Sequence, residues 1–165
     1  MISIRRGNFA DVGPILGLSS VALDEGVWAP VKTVDIGHSM RLLSTQVENN
    51  LVFVADGGGG VVGMIVLRVD GWAWNPSERH LESIHFYVHP AFRSAKTSDG
   101  KLAAVALIDA AKGVAQRAGL DLILTVLFGD DVERRDAFIR RQGFKSAGGS
   151  FVFQPKAIAL PIAAE

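Results

Sequence analysis

The segment best suited to chemistry lies between residues 88 and 102, after an apolar run and before a long Ala-rich run. An apolar strand followed by a loop and a helix directs unpaired backbone N–H groups toward the loop. Those donors and the helix dipole favour an anion, above all a phosphate. The loop adds two cationic side chains and three hydroxyls that could bind the same anion. They are Arg93 and Lys96, with Ser94, Thr97 and Ser98.

Two titratable residues in the preceding apolar run could act as general bases. Glu82 would have a raised pKa if it were buried, and His85 ordinarily titrates near neutrality. In a regular strand, residues three apart point to opposite faces, so only one should face a given site unless a bulge intervenes. The alternatives are a Glu82 paired with Arg79 or His80 at the exposed end of the strand, and a His85 packed under a helix.

The composition excludes several classes of function. The 165 residues suit one domain, and the absence of cysteine excludes disulfides, thiolate metal sites and cysteine nucleophiles. A formal net charge of zero argues against a nucleic-acid partner, and no apolar stretch is long enough for a membrane span. We therefore expect a cytoplasmic protein. We also expect no metal, because the four histidines lack metal-ligand spacing: His38, His80, His85 and His89.

Periodicity and turn residues predict the elements that position these side chains. The order is β-α-α-β-β-β-α-β-α-β, an α/β chain of the α+β type. The predicted strands are 2–5, 51–55, 61–69, 81–88, 120–128 and 151–153. The helices follow Asn8, open at Thr33 or Asp35, and span 98–118 and 131–141, with Gly143 ending the last. Residues 72–76 are predicted to form a long loop. We expect one domain over residues 1–165, with a core of about 2–153 and a tail at 154–165.

In these motifs the chain resembles the GCN5-related N-acetyltransferases. That superfamily has a strand ending in Val-x-Pro, then Arg/Gln-x-x-Gly-x-Gly/Ala, then a helix. Val88-His-Pro90 and Arg93 match, whereas Lys96 and Ser98 occupy the two small positions. The stretch 137–144, ending in Gln-Gly-Phe, is similar to the end of the superfamily's last helix. The loop is also similar to that of acetyltransferase-like proteins of bacteriophages.

The resemblance implies a mixed, mostly antiparallel twisted sheet with helices on both faces. It also implies acetyl-CoA as co-substrate, in a cleft between two splayed parallel strands, 81–88 and 120–128. The backbone near Tyr87 and Val88 would pair with the pantetheine amides, and the loop Arg93-Ser94-Ala95-Lys96-Thr97-Ser98 would bind the pyrophosphate. Glu82 is the first choice for general base, because superfamily members often have a strand glutamate about six residues before the Val. His85 is the alternative.

Three readings of function remain open from the sequence. The first is an N-acetyltransferase with a small-molecule or peptide amine as acceptor. The second is a binding-only member with a structural or regulatory role, because the superfamily's frequent tyrosine acid is replaced by Ile139. The third is a relative that shares only the fold and works through protein contacts. Three loop tryptophans could form a substrate wall or a homodimer contact: Trp28, Trp72 and Trp74.

Overall fold

A computed structural model describes residues 1–25, 34–125 and 132–145 of the chain. The strands are β1 (Ser3–Arg6), β2 (Val52–Asp56), β3 (Val61–Trp72), β4 (Asn75–Val88) and β5 (Leu122–Ile123). The α-helices are α1 (Val12–Glu25), α2 (Ile36–Glu48), α3 (Ala103–Ala118) and α4 (Val132–Arg141). Two short 3₁₀ turns, Phe9–Asp11 and Pro90–Phe92, precede α1 and follow β4. No helix among the described residues is both long enough and apolar enough to cross a membrane.

The described strands form one sheet in the order β1-β2-β3-β4-β5. Neighbouring strands are antiparallel except for β4 and β5, which are parallel. Its two faces are covered by different helices. One face packs with α3 in a cluster that we call the α3-side core, and the other packs with α1 and α2 in the α1/α2-side core. The predicted mixed, mostly antiparallel sheet with helices on both faces is confirmed.

The first helical segment begins where the sequence predicts, at Asn8. The side-chain oxygen of Asn8 accepts a hydrogen bond from Ala10 N at 2.9 Å, and the backbone N–H of Asn8 donates to Asp11 Oδ2 at 2.8 Å. Arg5 on β1 donates two further bonds to the Asp11 carboxylate, at 2.7 and 2.8 Å. The paired Arg5 guanidinium lowers the pKa of Asp11. This ion pair, in which Asp11 is buried and Arg5 is partly exposed, ties the start of α1 to β1.

The predicted long loop at residues 72–76 is wrong. Instead β3 and β4 form one long hairpin that pairs as far as Trp72 and Asn75. Gly71 permits this close return, because a Cβ there would lie only 2.6 Å from the carbonyl oxygen of Pro76. Trp72 stacks on His80 with ring centroids 4.4 Å apart, while the tip residue Trp74 is 91% exposed.

Several sequence predictions fall outside the described residues. They are Trp28, the end of the strand predicted over 120–128, the helix start at Asp131, the strand at 151–153, and the tail at 154–165.

Candidate functional site

Within the described residues, the ladder between β4 and β5 ends just before Ser83. Ladder pairing joins Leu81 to Leu122 and Glu82 to Ile123. At the next position the hydroxyl of Ser83 replaces the backbone as the hydrogen-bond partner of the chain just after β5. It accepts from Thr125 N at 2.9 Å and donates to Thr125 O at 3.3 Å. Ser83 is only 1% exposed, so these bonds satisfy polar groups that would otherwise be buried without partners. Beyond it, β4 runs on to Val88.

The far end of β4 has what we call its free edge: on the side toward β5, its backbone groups have no backbone partner among the described residues. His89 donates its N–H to Val62 O at 2.9 Å, so the register pairs His89 and Tyr87 with β3. In an antiparallel ladder, alternate residues direct their N–H and C=O groups to opposite edges. Phe86 and Val88 therefore direct theirs away from β3, toward the side on which β5 lies. The backbone of Tyr87 is committed to β3, so Phe86 and Val88 supply the groups that an extended ligand could pair with.

A β-bulge at Ile84 brings the two candidate bases to the same face of the sheet. His85 lies opposite Val66 and Ser83 lies opposite Leu67, which leaves Ile84 as the extra residue on β4. Val66 belongs to the α1/α2-side core, so His85 faces that side. Glu82 does too, since the residue opposite it is Arg68, two positions after Val66. Regular strand geometry would place these two side chains on opposite faces, and the bulge at Ile84 is the reason that they share one.

The contacts of the two candidate bases differ. Glu82 accepts from Arg68 at 2.9 Å, and the same Arg68 nitrogen lies 3.0 Å from Asp70. Among the described residues, the ion-pair partner of Glu82 is therefore Arg68 and neither Arg79 nor His80. Burial lowers the pKa of His85, which keeps its imidazole neutral at pH 7. His85 is therefore a neutral imidazole, and its unprotonated ring nitrogen could accept a proton.

The loop after β4 is longer than the sequence predicts, and α3 begins at Ala103 rather than Ser98. Lys96 and Leu102 form an antiparallel bridge, and Thr97 N donates to Lys101 O at 2.8 Å. This turn closes at Gly100, whose φ of +80° favours glycine. The predicted helix start at residue 98 is wrong, and Ser98 does not cap the helix: Leu102 is the N-cap residue, with no side-chain hydrogen bond. Ala103 N is taken by Ala95 O at 3.2 Å, so the donors that remain available for an anion begin at Ala104.

Most of the predicted anion-binding residues lie on the surface of this loop. Ser94, Lys96 and Ser98 are exposed, whereas Ala95 and Thr97 are partly buried. The hydroxyl of Thr97 bonds within the turn, to Asp99 and to Lys101 O. These bonds shape the turn, so Thr97 supports the loop more than it offers a free donor.

Arg93 folds back over the end of β4. Its Nε donates to Val88 O at 3.1 Å, and its NH2 group pairs with Glu25 at 2.5 Å. The guanidinium carbon lies 5.6 Å from the ring centre of Tyr87. The Arg93 side chain is still 50% exposed, so an incoming anion can reach it.

The chain's single tyrosine lies at the same end of β4. Tyr87 is buried, and burial together with the neighbouring Glu25 raises the pKa of its phenol to about 12. Ile139, at the position of the expected tyrosine, packs against the α3-side core. In the described residues, no cluster of three or more acidic, histidine or cysteine side chains could hold a metal ion.

Sequence reasoning missed three residues of this site: Ser83, Phe86 and Glu25. Phe86 contributes only its backbone, which carries no side-chain signal. Ser83 is a single hydroxyl in an apolar strand and could have been noted as one. Glu25 is 68 positions from Arg93, so only the fold brings the two together.

Comparison with known proteins gives the fold. No family model and no curated protein matches the chain in sequence. Solved structures do match. A predicted acetyltransferase from Clostridium acetobutylicum, solved with acetyl-CoA, is 15% identical with a TM-score of 0.67, over 93% of this chain and 96% of that one. A GCN5-related N-acetyltransferase from Ralstonia eutropha JMP134 is 17% identical with a TM-score of 0.68, over 94% and 98%.

A ribosomal-protein-alanine N-acetyltransferase from Brucella melitensis biovar Abortus 2308 is 18% identical with a TM-score of 0.61, over 93% of this chain and 99% of that one. These likenesses span nearly the whole of each protein, although the identities are low. The chain has the fold of the GCN5-related N-acetyltransferases.

Proposed function

We propose that this protein is an N-acetyltransferase that transfers an acetyl group from acetyl-CoA to an amine. The observation that carries the proposal is the free backbone edge of β4 at Phe86 and Val88, which leads directly into the cationic loop at Arg93. A pantetheine chain offers amides to such an edge, and a pyrophosphate suits the loop and the start of α3 that follow it. The structural likeness to a protein solved with acetyl-CoA supports the same choice.

The residues present fit this co-substrate. Phe86 and Val88 would pair with the pantetheine amides, and Arg93 and Lys96 would neutralise the phosphates. Ser94 and Ser98 are exposed on the loop and would add hydroxyl donors. Because Leu102 provides no side-chain cap, the N–H groups of the first turn of α3 that begin at Ala104 would be open to an anion.

In the reaction, the amine nitrogen forms a bond to the thioester carbonyl carbon and the carbon–sulfur bond breaks. The proton released by the amine is finally taken up by the departing thiolate. We propose His85 as the general base, because burial keeps it neutral and it shares the face of β4 with Glu82. The carboxylate of Glu82, which shares this face, is engaged by Arg68 at 2.9 Å. Water would protonate the thiolate, since Ile139 provides no acid.

The test is release of free CoA, followed with a thiol-reactive chromophore. The chain contains no cysteine, so the protein adds no thiol background. Acetyl-CoA is incubated with the protein and a panel of small amines and peptide N-termini. We expect release that depends on protein and on one class of amine. If CoA binds but no amine accelerates its release, the enzymatic proposal is wrong.

A binding-only role is the second candidate, and Ile139 is the observation that favours it. That side chain packs into the α3-side core and provides no proton donor at the expected position. Such a protein would be stabilised by CoA without turnover, and a structural or regulatory role like that of the bacteriophage proteins would then follow. The same assay separates the two candidates.

A further inference from the structure

The pair of Glu25 and Arg93 joins two distant parts of the chain across the proposed cofactor site. Glu25 is the last residue of α1, and Arg93 follows the 3₁₀ turn after β4. Their side chains meet at 2.5 Å, with Glu25 30% and Arg93 50% exposed. Neither side chain is fully buried, so the pair can open without exposing a core.

The same contact places Arg93 over the free edge of β4. Val88 O faces away from β3, and it is the atom to which Arg93 Nε donates at 3.1 Å. The ring of Tyr87 lies beneath the guanidinium at 5.6 Å. Arg93 therefore covers one of the backbone groups that an extended ligand would need, and Glu25 holds it there.

We propose that Glu25 is an affinity-determining residue of the cofactor site, acting as an internal anion that holds Arg93 closed over the end of β4. This inference rests on the proposed function, since it assumes that CoA binds along β4. A phosphate-bearing ligand releases the pair by replacing the carboxylate of Glu25 with a phosphate on Arg93. The exchange costs one ion pair and forms another, so Glu25 weakens CoA binding without preventing it.

The test is a double-mutant cycle in CoA affinity, measured by calorimetry on the full chain. The proteins are wild type, Glu25→Gln, Arg93→Ala and the double variant. Glu25→Gln keeps the size of the side chain and removes its charge. Asp24→Asn is the matched control, because Asp24 is the exposed neighbouring acid on the same helix. Melting temperatures show that each variant is folded.

We expect Glu25→Gln to tighten CoA binding by about 2- to 5-fold, as for the loss of a partly exposed ion pair, and Asp24→Asn to change it by less than about twofold. In the Arg93→Ala background, Glu25→Gln should have no effect, because there is no guanidinium to hold. An equal gain in that background would mean that Glu25 merely repels the phosphates, which overturns the inference. Unchanged or weaker binding by Glu25→Gln overturns it too. If none of the proteins binds CoA, the proposed function itself fails.

Discussion

The hydroxyl of Ser83 takes both backbone hydrogen bonds of Thr125, accepting at 2.9 Å and donating at 3.3 Å. This replaces the β4–β5 ladder at the position where it ends. A strand that leaves its neighbour would normally lose bonds for its buried N–H and C=O groups. The side chain of Ser83 meets that need at the end of the described ladder, where the proposed CoA site would begin.

We therefore predict that Ser83→Ala weakens CoA binding and lowers the melting temperature only slightly. Thr125 loses its partner, so its amide should exchange with solvent roughly tenfold faster, the worth of one hydrogen bond. Nuclear magnetic resonance of the labelled protein measures that exchange, and calorimetry measures CoA affinity. Ser20→Ala is the control, because it removes an exposed hydroxyl bonded to a helix carbonyl, away from the cleft. Unaltered Thr125 exchange together with wild-type affinity would show that Ser83 does not hold the cleft.

Arg93→Ala should weaken CoA binding by about 1.5–3 kcal/mol, the contribution of a charge-assisted contact. The loss should lie toward the lower end, because the same change removes the closed pair with Glu25. Calorimetric titration measures it, with Arg41→Ala as a control on the exposed surface of α2. Equal losses in the two variants would place the phosphates away from Arg93.

The two candidate bases can be separated by the pH dependence of kcat/KM. Burial lowers the pKa of His85, so its imidazole loses a proton below the ordinary value of 6.5. Activity should therefore persist at pH 6.5 and fall only at more acid pH, where His85 becomes protonated. We expect His85→Gln to reduce kcat/KM by about 10²- to 10⁴-fold and to remove that acid limb.

Glu82→Gln is the matched variant, and it should leave the acid limb in place with a smaller loss of rate. The opposite pattern, in which only Glu82→Gln removes the limb, would make Glu82 the base and return to the first choice from the sequence.

The buried Asp11 should stabilise the start of α1 in a pH-dependent manner. Asp11→Asn leaves donors of Arg5 and Asn8 poorly satisfied, so the free energy of unfolding at pH 7 should fall by about 1–3 kcal/mol. The pKa of Asp11 is lowered from 3.8 in the folded state, chiefly by the hydrogen bond from Arg5. Its contribution is therefore complete above that value and is lost as pH falls further.

Denaturant unfolding at pH 7 and near pH 3 measures the difference. Asp24→Asn, an exposed acid on the same helix, should change stability by less than about 0.5 kcal/mol. A gap between Asp11→Asn and wild type that widens in acid would contradict the assignment.

Local signals in the sequence were enough for most of the fold. The first helical segment follows Asn8 as predicted, and α2 opens at Asp35, one of the two predicted starts. Two errors came from reading turn residues by type alone. Asn75 and Pro76 look like a loop, but the space left by Gly71 lets the strands pair beside them. Ser98 looks like a helix cap, but the Lys96–Leu102 bridge delays α3.

The site was less predictable, because its decisive features depend on register. Whether Glu82 and His85 share a face turns on one extra residue, Ile84, and no sequence signal identifies that bulge. The free edge belongs to Phe86 and Val88 for the same reason. The partners of Glu82 and Arg93, namely Arg68 and Glu25, come from other elements. The anion-binding role of the loop and the likeness to bacteriophage proteins remain predictions.

The most direct test of the proposed CoA site is thermal melting with and without CoA. At a concentration 100 times its dissociation constant, CoA should stabilise the folded chain by about 2.7 kcal/mol, a rise of roughly 5–10 °C for this size. Inorganic pyrophosphate at the same concentration is the control for general anion binding. We predict a clear rise in melting temperature with CoA, a smaller rise in Arg93→Ala, and little change with pyrophosphate. No rise in melting temperature at millimolar CoA would contradict the proposal that CoA binds along the free edge of β4.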